Sequence, residues 1–235
     1  MDNKNKILKH CTFFSTKKIE QVDYLYKVKK IANIYDEERF IKAVEECPHL
    51  DSNRIIANFL RLVSPHAKSD FARLVLLYMY GGLYLDLDFD FEFDYDKHIN
   101  NISSDLIFII DGKHSPKLYN GFIFSKNKYE KIFLYAIEKL CYKMENDHIK
   151  ETNCTTFSGP LFLGNLVNEV FFNISNQRKF SPNMSNEKIC FLVLNHDNPK
   201  DTFIMFDNTK LKSQIPLDRK NLGFIALVKN QTLYN

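Results

Sequence analysis

Two hydrophobic periods alternate along the chain, and each predicts its own kind of element. In 66–80, Phe71, Leu74, Val75 and Tyr78 recur at i, i+3, i+4 and i+7, which predicts an amphipathic helix. Gly81-Gly82 follows, and glycine past the last turn tolerates the positive φ that ends a helix. Strict alternation then runs through 83–89, the period of a strand. Earlier, Cys11 to Ser15 and Ile31 to Tyr35 read as short strands. Asp36 is placed to cap a helix whose first turn holds Glu37 and Glu38, with Phe40, Ile41 and Val44 on its apolar side. A further helix is expected from Ser52 through Ile55, Ile56, Phe59 and Leu62, between Pro48 and Pro65.

The second half continues the interleaving. Strands are expected at 106–110, 122–125, 189–194, 203–206 and 224–228. Helices are expected at 128–144, with Ile132, Tyr135, Ala136 and Leu140 on one stripe, and at 161–172 after Ser158-Gly159-Pro160. Strands mixed with helices place the chain in the α/β class. No linker or repeat interrupts it, so one domain spanning 1–235 is the expectation.

Composition narrows the picture only slightly. The 235 residues are 45% hydrophobic and 26% charged, ordinary for a globular chain. A net charge of +3 gives no argument for nucleic acid. Cys11, Cys47, Cys141, Cys154 and Cys190 form no C-x-x-C pair and are odd in number, so reduced thiols are expected. The polar, Lys-rich start does not read as a signal peptide, and no apolar run reaches membrane-spanning length. A cytoplasmic location follows as the expectation.

Candidate chemistry sits in the acidic run 86–94. An edge strand with one charged face would explain these acids, as a device against aggregation. An EF-hand loop would not, because the positions that need Gly and Glu hold Phe91 and Lys97. Strand geometry puts Tyr84, Asp86 and Asp88 on one face and Leu83, Leu85 and Leu87 on the other, with the leucine face expected to pack under a helix. Carboxylates two residues apart lie roughly 6.6 Å from each other. That spacing suits one hard divalent cation, Mg²⁺ or Mn²⁺, bound directly by one carboxylate and through water by the other. Asp70 and Arg73, three apart on the preceding helix, lie off its apolar stripe. By spacing alone they read as a solvent-exposed ion pair.

The block Ser69-Asp70-x-x-Arg73, an aromatic helix end, Gly81-Gly82-x-Tyr84, then Asp86-x-Asp88 resembles the sugar-nucleotide signature of glycosyltransferase family 32. That family includes fungal initiating mannosyltransferases and capsular sugar transferases. The block is also similar to the catalytic domain of the clostridial glucosylating toxins. Weaker similarity extends over 28–175, through Ile34 to Glu38, Asn120-Gly121-Phe122-Ile123 and Ser158-Gly159-Pro160.

The resemblance implies a GT-A fold and transfer of a sugar from a UDP- or GDP-sugar to a glycan or other acceptor, mostly with retention of configuration. It implies Mn²⁺ or Mg²⁺ as cofactor, with Asp88 coordinating the metal directly and Asp86 meeting the donor sugar or a metal-bound water. Ser69, Asp70, Arg73, Tyr84 and Asn120 would bind the donor, and Arg73 could add fixed positive charge and forked hydrogen bonds. The family's tryptophans are absent, since the chain has no Trp. The local substitute for the family's late metal-site histidine is His196, beside Asp197, expected in a loop after a strand. These departures keep a second reading open: a degenerate relative that binds a nucleotide-sugar or glycan without transferring it.

Overall fold

The computed structural model describes residues 11–14, 32–86, 89–90, 103–111, 115–146, 154–174, 178–198, 201–205 and 227–229. Along the chain run β1 (Cys11–Phe14), β2 (Ala32–Tyr35), α1 (Glu37–Glu45), α2 (Ser52–Arg61), α3 (Pro65–Tyr80), β3 (Gly82–Leu85) and β4 (Phe89–Asp90). They are followed by β5 (Leu106–Ile110), β6 (Leu118–Ser125), α4 (Lys131–Asn146), the single turn α5 (Cys154–Phe157) and α6 (Pro160–Phe172). The last elements are β7 (Ile189–Asn198), β8 (Asp201–Met205) and β9 (Leu227–Lys229).

The nine strands among the described residues belong to one mixed sheet, in the order β2-β1-β3-β6-β5-β7-β8-β9-β4. The β2-β1-β3 portion is parallel, as is β5 with β7, and β6 runs antiparallel between β3 and β5. The C-terminal ends of β1, β2, β3, β5 and β7 therefore share one edge of the sheet.

Most elements fall where the pattern predicts, because their signals are local. Asp36 caps α1 by accepting from the Arg39 amide at 3.0 Å, and Asp51 does the same for α2 through the Arg54 amide at 3.1 Å. Pro65 stands at the break between α2 and α3. It is the first residue of α3, capped by the Ser64 hydroxyl, and a missing N–H costs nothing at that position. Gly81, with φ of 63°, ends α3, and its amide donates to the Leu77 carbonyl at 2.9 Å. A Cβ there would sit 2.8 Å from the Asn127 carbonyl oxygen, so the turn that follows β6 leaves no room for a side chain.

The expectation for the polar side of α3 fails. Every residue from Asp70 to Met79 is buried. A helix that is apolar nearly all round is a core helix, and α3 lies between the sheet and the outer helices, packed on α4. The face assignment of β3 also inverts. α3 covers the Tyr84 side, and Leu83 and Leu85 on the other side are equally buried. Strand β3 itself stops at Leu85, while residues 87–88 lie outside the described set.

Candidate functional site

Because α3 turns back into β3 through Gly81-Gly82, its first turns lie over the C-terminal end of that strand. Ser69, Asp70 and Arg73 are thereby brought onto Tyr84 and Asp86. The Arg73 guanidinium carbon stands 4.7 Å from the centre of the Tyr84 ring. The Tyr84 hydroxyl lies 3.3 Å from the Ser69 hydroxyl.

Arg73 is the hub. Its Nε donates to the Ser69 carbonyl at 3.3 Å, and one terminal nitrogen donates to Ser69 Oγ at 3.0 Å. That nitrogen also ion-pairs with Asp70 Oδ1 at 3.0 Å. The other terminal nitrogen donates to Asp86 Oδ1 at 3.1 Å and to the Asn120 carbonyl. Asp70 is equally enclosed. Oδ1 accepts from Asn120 Nδ2 at 2.6 Å, and Oδ2 accepts from the Ser158 hydroxyl at 2.9 Å. The side chains of Asp70 and Arg73 are 7% and 5% exposed, whereas that of Asp86 is 30% exposed. Of these three charged groups, Asp86 faces solvent.

The third element of the cluster is a distortion in β6. Its pairing with β5 slips between Phe108, opposite Ile123, and Ile109, opposite Tyr119. The slack falls on Asn120, Gly121 and Phe122, a β-bulge of the kind that re-aims side chains. It lets Asn120 reach Asp70, and the Gly121 carbonyl accepts from the Asp86 amide at 2.9 Å. A Cβ on Gly121 would lie 2.6 Å from both Asp86 Oδ2 and the Tyr119 hydroxyl. The missing side chain is the space these two polar groups occupy.

Burial sets the electrostatics. It pushes the Asp70 carboxyl up from the usual carboxylate range, against the pull of Arg73 and the Ser158 hydrogen bond. Burial alone would lower the Arg73 pKa, but Asp86, Tyr84 and Asp70 together raise it, so Arg73 stays cationic. The Tyr84 phenol is pushed well up, chiefly by burial, and remains neutral. One fixed cation thus balances two carboxylates, one enclosed and one at the surface.

Six of the sequence candidates therefore converge: Ser69, Asp70, Arg73, Tyr84, Asp86 and Asn120. Asp88 lies outside the described residues. His196 is not in a loop, since β7 runs through it, at the C-terminal part of a strand that ends on the same sheet edge; its side chain is not described. Among the described residues, no group of three or more His, Cys, Asp or Glu could hold a metal ion. Asp86 offers one partly exposed carboxylate, a donor suited to a hard cation. Ser158 and Gly121 fall in the segments similar to the family, and the structure adds both to the cluster.

A charged cluster at the carboxyl ends of strands in an α/β sheet occupies the usual ligand position of such folds. Residues 4–105 match the family model described as a glycosyltransferase sugar-binding region containing a DXD motif. That segment, somewhat under half of the chain, holds Ser69, Asp70, Arg73, Tyr84 and the Asp86-x-Asp88 pair. The structure is similar to a solved chain titled PaToxG Glycosyltransferase, at 14% identity and a TM-score of 0.46, over 71% of this chain and 70% of that one. A search of curated proteins finds no match. No helix among the described residues is long and apolar enough to cross a membrane.

Proposed function

We propose that the chain transfers a hexose from a UDP- or GDP-sugar to a glycan or other acceptor. The reaction is metal-dependent and retaining, on a single GT-A-type domain with its core in 28–175. The observation that carries this reading is the enclosed Arg73 hub, which fixes Asp70, Asp86 and Asn120 at the edge where α/β folds bind ligands. Taking a guanidinium and a carboxylate out of water is costly even when they are paired, and apolar packing in the same space would avoid that cost.

In this reading Asp88 ligates Mn²⁺ or Mg²⁺, and Asp86 meets the donor sugar or a metal-bound water. His196 is the candidate further ligand. The metal, when bound, supplies Lewis-acid stabilisation of the diphosphate leaving group. Ser69, Asp70, Tyr84 and Asn120 line the donor pocket. Arg73 acts through the field of its charge and through the orientation it gives Asp86, because its guanidinium is already engaged by Ser69, Asp70, Asp86 and Asn120.

The test is release of nucleoside diphosphate from a panel of UDP- and GDP-sugars with Mn²⁺. Wild type is expected to turn over at least one donor, and Asp88→Asn to lose that turnover. Equal inactivity of the two on every donor would sink the catalytic reading. Calorimetric binding of UDP or GDP without product would favour the degenerate binder instead.

A further inference from the structure

Ser158 lies in the turn between α5 and α6, and 88 residues separate it from Asp70 in sequence. It is 4% exposed, and its hydroxyl donates to Asp70 Oδ2 at 2.9 Å. With Asn120 Nδ2 at 2.6 Å and Arg73 at 3.0 Å on Oδ1, the Asp70 carboxylate is gripped from three separate elements. Ser158 is the one grip on Oδ2 among these, and no charge accompanies it. A carboxylate held at both oxygens is fixed in rotation, and Asp70 in turn fixes the Asn120 amide and one arm of Arg73.

We propose that Ser158 is a positioning residue for the donor site: it locks the Asp70 carboxylate, and through it Asn120 and Arg73, in the geometry that accepts the nucleotide-sugar. This rests on the glycosyltransferase reading above. It adds a residue outside the matched segment 4–105 to the donor-binding machinery.

The experiment compares Ser158→Ala with Ser104→Ala in the full chain. Ser104 is an equally buried serine whose hydroxyl donates to the Asn186 carbonyl at 2.7 Å, beside the N-terminal end of β5 and so at the opposite edge of the sheet. Melting temperature, kcat and donor KM are measured for both, starting from a donor that wild type turns over. Losing one buried hydrogen bond to a charged group corresponds to a roughly ten- to hundredfold fall in kcat/KM. That fall is expected in Ser158→Ala, carried by donor KM, while Ser104→Ala loses thermal stability and keeps its donor KM. In an Asp70→Asn background, Ser158→Ala is expected to add little, because the pair acts as a unit. Equal donor KM in Ser158→Ala and wild type, or full additivity with Asp70→Asn, would overturn the assignment. If wild type turns over no donor, it is the functional reading that fails, a separate outcome from these.

Discussion

Two arginine–carboxylate clusters sit on the helices of this protein, and they differ in almost every physical respect. Arg73 is enclosed between α3, β3 and β6 with Asp70 and Asp86. Arg54 bridges α2 to α4 on the outside. Its Nε and one terminal nitrogen grip Glu145 at 2.8 and 2.9 Å, and the other terminal nitrogen donates to Glu138. Asn58 adds a hydrogen bond to Glu145 at 2.9 Å. The outer cluster keeps about a third or more of each charged side chain in water and therefore gives up little hydration. The inner one takes a guanidinium and a carboxylate out of water, a cost that apolar packing in the same space would avoid. The outer cluster reads as a fastening between helices. The inner cluster makes sense when its charges serve a ligand.

The sharpest way to break this comparison is Arg73→Met. It leaves Asp70 buried and unpaired beside Asp86, and removing one partner of a buried pair costs about 3–5 kcal/mol. Urea unfolding should show that loss, together with loss of turnover. An unfolding midpoint unchanged from wild type would mean that the inner cluster is not coupled to the fold. Next in size is Gly121→Ala. Its Cβ would meet Asp86 Oδ2 and the Tyr119 hydroxyl at 2.6 Å, displacing the carboxylate. A displacement on the order of an ångström at a reacting centre costs about a hundredfold in rate. Turnover should fall accordingly, while the α2–α4 fastening remains intact in a melting experiment.

Asp70→Asn is milder for stability, since the amide fills the same space, but one oxygen is replaced by a donor facing donors. Donor affinity measured by calorimetry should fall by roughly tenfold or more. Arg54→Ala should cost less stability than Arg73→Met, should leave donor turnover at the wild-type level, and should matter less still in molar salt, where exposed pairs are screened. The smallest effect is a pH dependence. Glu145 is held down from 4.5 to about 2, first by its hydrogen bonds to Arg54 and then by Asn58. A depressed carboxylate contributes stability that is present above its unfolded pKa and lost as pH falls from about 4.5 towards 2. Melting curves across that window should slope less in Glu145→Gln than in wild type.

The same contrast explains what could be read from the sequence. Period and capping gave α1, α2, α3, α6 and β5 nearly to the residue and α4 to within three residues, because each depends on neighbours a few positions away. The Asp70/Arg73 spacing and the Tyr84/Asp86 alternation are also local, and the resemblance collected them into one block. Their burial is not local. It depends on α4 closing over α3, so the exposed-pair reading failed. β6 was expected to begin at Phe122, but it begins at Leu118, because a bulge has no hydrophobic period to announce it. The role of Ser158 was hidden for a similar reason: nothing near it in sequence is charged in a way that marks a partner 88 residues away. The Arg54 fastening to Glu138 and Glu145 lies across 84 and 91 residues and left no trace in the pattern either.

The slip in β6 has a consequence for how this protein could change over time. From Ile123 to Ser125 the strand is pinned on both sides, by β3 and by β5. At Asn120 the ladder to β5 is already interrupted, so exchanging that side chain alters what the cluster presents without rewriting the register of the sheet, whereas Gly121 is fixed by the space Asp86 and Tyr119 occupy. The bulge separates the part of the strand that must stay the same for the chain to fold from the part that is free to acquire a new preference.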